Sequence, residues 1–112
     1  MLRMTVEELA QRLDLRILVG GEALSREVTG GYCGDLLSWV MSRAQSGDAW
    51  VTVMGNINSI AVAMLADVAC IVLCEDAPLD EDARTRAQEK GIAVLAGAEN
   101  AYRLASRLSA LI

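Results

Sequence analysis

The 112-residue chain has no histidine, no phenylalanine, a single proline and only two Trp and two Tyr. Each shortage excludes something. Without His, the commonest general base and metal ligand is missing, which weakens every catalytic or metal-binding reading and leaves no cofactor expected. Aromatics are 4% of the chain against 54% hydrophobic residues, so the core has to be built from Leu, Val, Ile, Ala and Met. No apolar run reaches the ~18 residues of a membrane span. Glu7 and Glu8 interrupt the N-terminal region, so no signal peptide and no membrane partner are expected. Basic residues are few and scattered, 10 against 15 acidic, for a net charge of −5. Phosphate binding needs a clustered basic surface, so nucleic acid is not expected as a partner. The densest charge is acidic, at Glu75, Asp76, Asp80, Glu81 and Asp82, and reads as a solvated loop and helix start.

Cysteine is scarce too. Cys33, Cys70 and Cys74 make an odd count, which in an acidic chain points to a reducing cytoplasm without a disulfide framework. Cys70 and Cys74 fall on one face of a strand, too far apart along it for an easy disulfide. All three are expected as buried structural thiols.

What is present is organised around Val28-Thr29-Gly30-Gly31-Tyr32-Cys33-Gly34-Asp35. An extended segment enters two glycines, a third follows, and a helix is expected to begin at Asp35. The length suits one domain, residues 1–112, burying roughly two thirds of its unfolded surface. Residues 1–25 read as an N-terminal helix–strand extension. There, Thr5-Val6-Glu7-Glu8 has the S/T-x-x-E pattern of a capping box. Val6, Leu9, Ala10 and Leu13 follow at helical spacing, and Arg16 to Val19 form a short strand.

Beyond the glycines, Asp35 to Ala44 reads as a helix with Leu36, Leu37, Val40, Met41 and Ala44 as its buried stripe. Trp39 falls off that stripe, so it is either wrapped by a neighbouring loop or part of a contact surface. Strands are expected at 49–53, 70–74 and 92–95. The middle one, Cys70-Ile71-Val72-Leu73-Cys74, is uninterrupted and apolar, as suits a strand covered on both faces. Helices are expected between these strands and at 100–111. Asn56, Asn58 and Ser59 are N-cap candidates for the Ala-rich helix, Asp80 for the next, and Gly91 closes that one. Strands alternating with helices predict an α/β fold, a parallel-type sheet of about five strands flanked by helices.

A G-x-G-x-x-G dinucleotide fingerprint would need glycine at position 29, which is Thr, and an acidic residue after the next strand, where Thr52-Val53-Met54 stands. No Gly-Lys-Ser/Thr follows for a P-loop. A glycine turn at a helix start can still bind an anion through its amides, although Asp35 would already sit at that pole. Two readings stay open. Either Gly30 and Gly31 serve close backbone approach, or Thr29, Gly30, Gly31, Asp35, Thr52 and Asn58 line a small-ligand pocket at the C-terminal ends of the strands. No serine has a base in a recognisable pattern, and Cys33 would be reactive only if a helix dipole lowered its pKa. No catalytic residue is therefore assigned. The apolar balance (mean hydropathy +0.34), the off-stripe Trp39 and the Ala-rich helix point to self-association as a homodimer.

The sequence resembles the DRTGG domain family from Arg26 to about Leu108. The residues that carry the resemblance are Arg26-Glu27-Val28-Thr29-Gly30-Gly31, Gly34-Asp35-Leu36-Leu37-Ser38 and Trp50-Val51-Thr52. They continue with Asn58 followed by Ala61-Val62-Ala63, Leu65-Ala66-Asp67-Val68-Ala69, and Gly91-Ile92-Ala93-Val94-Leu95. Ser25 stands where the family's Asp precedes the Arg. The resemblance implies a fold similar to the N-terminal domains of HPr kinase/phosphorylase and of Mur ligases, the latter UDP-binding. It also implies a non-catalytic regulatory module, of the kind found in phosphotransacetylases and CBS-containing pyrophosphatases at a dimer interface. Stand-alone copies near iron-hydrogenase genes imply an enzyme or redox protein as a further partner.

Overall fold

The computed structural model describes residues 3–112. In chain order the elements are α1 (Val6–Arg12), β1 (Arg16–Val19), a 3-10 turn (Gly21–Ser25), β2 (Gly30–Cys33), α2 (Leu37–Arg43), β3 (Asp48–Thr52), α3 (Ile57–Ala66), β4 (Cys70–Leu73), α4 (Glu81–Lys90), β5 (Ala93–Ala96) and α5 (Ala101–Ser109). The five strands form one sheet in the order β1-β5-β4-β3-β2. The sheet is mixed: β2 to β5 pair in parallel, and β1 adds to β5 antiparallel.

Period-two alternation sorts the strand side chains between two layers. Trp50, Ile71, Leu73, Val94 and Ala96 face α2, α3 and α4 and pack with Val40, Ile60, Ala63, Ala83 and Ala87. Ala49, Val51, Cys70, Val72 and Leu95 face the other way, against Val6, Leu9 and Leu13 of the α1 region and Leu104 and Leu108 of α5. Every residue of β3, β4 and β5 is buried. That is why these strands read as apolar runs without alternation. Trp50, fully buried, donates its indole N–H to the Gly34 carbonyl at 2.9 Å. The largest core side chain thereby fixes the turn that follows β2.

Helix ends follow local chemistry. Thr5 caps α1 in a capping box: its Oγ1 accepts from the Glu8 amide at 3.2 Å, and Glu8 accepts from the Thr5 amide at 3.0 Å. These bonds hold the Glu8 carboxyl below its ordinary pKa. Asn56 and Asn100 cap α3 and α5 with their side chains. Asp80 stands at the N-cap of α4 without a side-chain bond.

Helix α2 differs most from expectation. It starts at Leu37, after an N-cap at Leu36 with no side-chain bond. Of the expected stripe only Val40 is fully buried; Leu37 and Ala44 are half-buried, and Leu36 and Met41 are exposed. A seven-residue helix makes only about two turns, so one contact row meets the sheet and the stripe's flanks stay outside.

Helices α2, α3 and α4 lie on one face because each returns the chain to the adjacent strand in the same direction. The strand order never reverses among the parallel strands. The crevice that opens where a doubly wound sheet reverses is therefore absent, and with it the geometric reason to expect a ligand at the C-terminal strand ends.

Candidate functional site

The six residues expected to line one pocket separate into three places. Thr29 and Gly30 lie at the start of β2, where the Thr29 amide donates to the Gly47 carbonyl at 3.0 Å. Asp35 lies past the other end of the same strand. At about 3.3 Å per residue, the strand alone separates Thr29 from Cys33 by roughly 13 Å. Thr29 and Asp35 therefore lie off opposite ends of β2, and the groove described below is lined by Thr29 and not by Asp35.

Asp35 and Thr52 do meet, as a latch. Asp35 Oδ1 accepts from Thr52 Oγ1 at 2.7 Å and from the Val53 amide at 3.0 Å, and Thr52 Oγ1 accepts from the Met54 amide at 3.2 Å. Asp35 is thus not the first-turn acid of a helix; it closes the ends of β2 and β3. Beside the latch the β3–α3 loop meets the β4–α4 loop. The Asp80 amide donates to the Gly55 carbonyl at 2.8 Å, and Gly55 lies so close to Pro78 that a Cβ would overlap the Pro78 carbonyl. Asn58 is on neither feature. It is exposed in the first turn of α3, whose cap is Asn56.

Gly31 lines a different feature, together with Thr29 and Gly30. A groove of about 390 Å³ runs between the edge strand β2 and α5. Its walls include Gly31, Cys33, Val51, Ala105, Leu108 and Ile112, and no charged side chain lines it. A Cβ on Gly31 would meet Leu108 Cδ2 at 2.9 Å, so the glycine lets α5 settle close to the edge strand. The far wall of the groove is made by Ala105, Leu108 and Ser109 of α5, with Ile112 beyond it. That these small residues leave space beside the glycines depends on α5 crossing to β2, which periodicity does not encode.

Cys33 is exposed, not buried, while Cys70 and Cys74 are buried. Partial burial, then the charge of Asp35, pushes the Cys33 thiol above its ordinary pKa. The helix dipole that a reactive Cys33 would need is not at hand, because α2 begins four residues later, at Leu37. Burial pushes Cys70 up to about 12. Among the described residues no three His, Cys, Asp or Glu side chains gather as a metal site. Trp39 is half-exposed, and the Arg43 guanidinium lies 3.7 Å from its ring centroid, a cation–π contact.

A family model for the DRTGG domain matches residues 8–111. The chain belongs to the DRTGG domain family. The match begins within α1 and so reaches further toward the N-terminus than the resemblance read from sequence. Among solved structures, the chain is similar to the crystal structure of the CBS and DRTGG domains of the regulatory region of Clostridium perfringens pyrophosphatase, complexed with its activator diadenosine tetraphosphate. The TM-score is 0.72 at 9% identity, over 94% of this chain and 46% of the other. The chain thus spans about half the length of that relative, and at this identity the likeness is one of fold. No curated protein matches the chain.

In this DRTGG domain the motif residues hold the N-terminal strand ends together. Arg26 donates through Nη1 to Asp67 Oδ1 at 2.9 Å and through Nη2 to the Asp67 carbonyl at 2.7 Å, and Ser46 Oγ donates to Asp67 Oδ2 at 2.5 Å. Asp67 ends α3 in the left-handed region (φ 58°). The Ser46 hydroxyl, then Arg26, holds its carboxyl below the ordinary pKa. Buried Asp48 accepts from the Gln45 amide at 2.8 Å, and a Cβ on Gly30 would lie 2.7 Å from its Oδ1. Ser25, where the family's Asp would stand, donates to the Glu22 carbonyl at 2.8 Å and closes the 3-10 turn. From the sequence, Arg26 and Asp67 stood out only as part of the family resemblance, and Ser46 had no role. A hint was available in Arg26 itself, a charge set just before the buried Val28 with a conformationally special Asp far along the chain to receive it.

Proposed function

We propose that this chain is a non-catalytic regulatory and interaction module that acts as a homodimer, with an enzyme or redox protein as the partner it serves. The observation that carries the reading is a division of labour among the motif residues. The polar ones, Arg26, Asp35 and Thr52, are engaged in bonds inside the chain. The surface offered outward is apolar: Leu36, Trp39 and Met41 on α2, Met64 and Leu65 on α3. Exposed apolar side chains on neighbouring helices suit a docking surface better than a reaction centre. Trp39 is the anchor assigned to that surface, since aromatic and Arg side chains dominate binding energies. Pull-down of purified candidate enzymes with the wild-type chain and with Trp39→Ala tests the partner assignment. Capture lost in the variant is expected, and equal capture by both would remove Trp39 from the interface.

A second reading has its own support, the groove between β2 and α5, whose volume lies within the range of small-ligand sites. The similar pyrophosphatase region was solved with diadenosine tetraphosphate, which makes that compound the first to test. The groove's uncharged lining favours an uncharged molecule over a polyphosphate. A thermal-shift series discriminates: a ligand at 100 times its dissociation constant stabilises by about 2.7 kcal/mol. No shift with either class of compound would remove the sensor reading.

A further inference from the structure

We infer that the second copy docks on the open edge of β2, pairing antiparallel with its own β2 about a two-fold axis at Gly31. The inference rests on the homodimer reading and assigns its surface. Strand β2 ends the sheet, so one row of its backbone groups has no partner strand. The Gly34 amide donates to the Val51 carbonyl of β3 at 3.1 Å, so alternation back along β2 turns the N–H and C=O of Tyr32 and Gly30 toward β3 and those of Gly31 and Cys33 outward. In a two-fold arrangement centred on Gly31, Gly31 and the partner's Gly31 exchange N–H···O bonds, and each Cys33 amide donates to the carbonyl of the partner's Thr29. The edge is complementary to itself in this register.

The two edges of the sheet contrast. At β1, Arg16 carries a charge, the register is broken between Ile17 and Val19, and Arg84 of α4 donates to the Leu18 carbonyl at 3.0 Å. Charge, irregularity and a covering side chain are the usual guards of an edge. From Thr29 to Cys33 there is no charge, no proline and no bulge. For a chain of net charge −5, an uncharged contact surface avoids placing like charges against each other, and this edge with its groove is one.

The groove supplies the packing. Helix α5 rests across β2 and β3. With strands about 4.8 Å apart, joining two β2 edges sets the two α5 axes about 10 Å apart on the same face, the upper end of ordinary helix packing. Ala105 and Ser109, small residues one turn apart beside Ile112, face that gap, so the second copy's α5 fills the groove.

The register makes a specific prediction. Thr29 and the partner's Cys33 oppose each other at a hydrogen-bonded position, with Cα atoms about 5.5 Å apart, within disulfide reach. In one chain they are a strand length apart. Thr29→Cys treated with oxidised glutathione is expected to give a disulfide-linked dimer whose cross-linked peptides join position 29 to Cys33. The link is expected to be lost in Thr29→Cys combined with Cys33→Ser. A dimer by sedimentation with no such link would overturn the β2 assignment while leaving the homodimer standing. A monomer at every concentration would overturn both. If the variant does not fold, amide exchange of the unaltered chain decides. Protection at Gly31 and Cys33 that is lost on dilution is expected, and equal exchange at all concentrations would overturn the pairing.

Discussion

Asp35 holds two donors at once, and one of them, Thr52, is only 1% exposed. Removing the acceptor leaves a buried hydroxyl without its partner, so Asp35→Ala should cost about 1–3 kcal/mol. Asp35→Asn, which keeps an acceptor oxygen, should cost less. Urea denaturation of the two variants checks both the size and the order. At the other end of the sheet Asp67 predicts a pH dependence. Its folded pKa lies below the ordinary 3.8, so its contribution is fully present above that value and is lost as pH falls through the folded pKa. The stability gap between wild type and Asp67→Asn should therefore be constant at neutral pH and close in acid, as denaturation midpoints across pH would show. The thiols follow the same reasoning. Raised pKa values leave little thiolate at neutral pH, so in the native, dilute protein only Cys33 should alkylate, slowly, with the rate rising in alkali. Peptide mapping after brief alkylation would show this; fast modification at neutral pH would contradict the geometry around Asp35.

At the scale of elements, the legible and illegible parts separate by the range of the forces that set them. The α1 capping box, the doubly covered strand from Cys70, the αL close of α4 at Gly91 and the alternation of strands with helices were readable, because each depends on neighbours a few residues away. The antiparallel entry of β1 was not, since nothing in Arg16–Val19 says which strand it will meet. The start of α2 was misplaced for a related reason. Asp35 has the chemistry of a helix cap, but Thr52 and the Val53 amide, distant in sequence, compete for it and win. The candidate site was misjudged as a unit: Thr29 and Asp35 are close in sequence yet lie beyond opposite ends of one extended strand. The loop contact at Gly55 offers a test at this scale. A methyl there meets the Pro78 carbonyl, a backbone atom that cannot rotate aside. Gly55→Ala should lose at least about 1–3 kcal/mol, read from the thermal or urea midpoint, whereas Thr5→Ala should lose about 1 kcal/mol from the α1 cap alone.

For the whole molecule, two layers of helices cover both faces of the sheet and leave its two edges unlike each other. One edge is guarded by Arg16, Arg84 and an irregular register; the other presents an uncharged strand, a groove and two outward-facing residues. The family assignment, the inward engagement of the motif's polar groups and the neutral edge are the grounds for the proposed docking module, whose first partner is its own copy. Among the described residues no helix is long and apolar enough to cross a membrane. Sedimentation velocity of the unaltered chain over a wide dilution series tests this account most directly. The account predicts a species of twice the chain mass that dissociates on dilution; a single monomeric species at every concentration would contradict it.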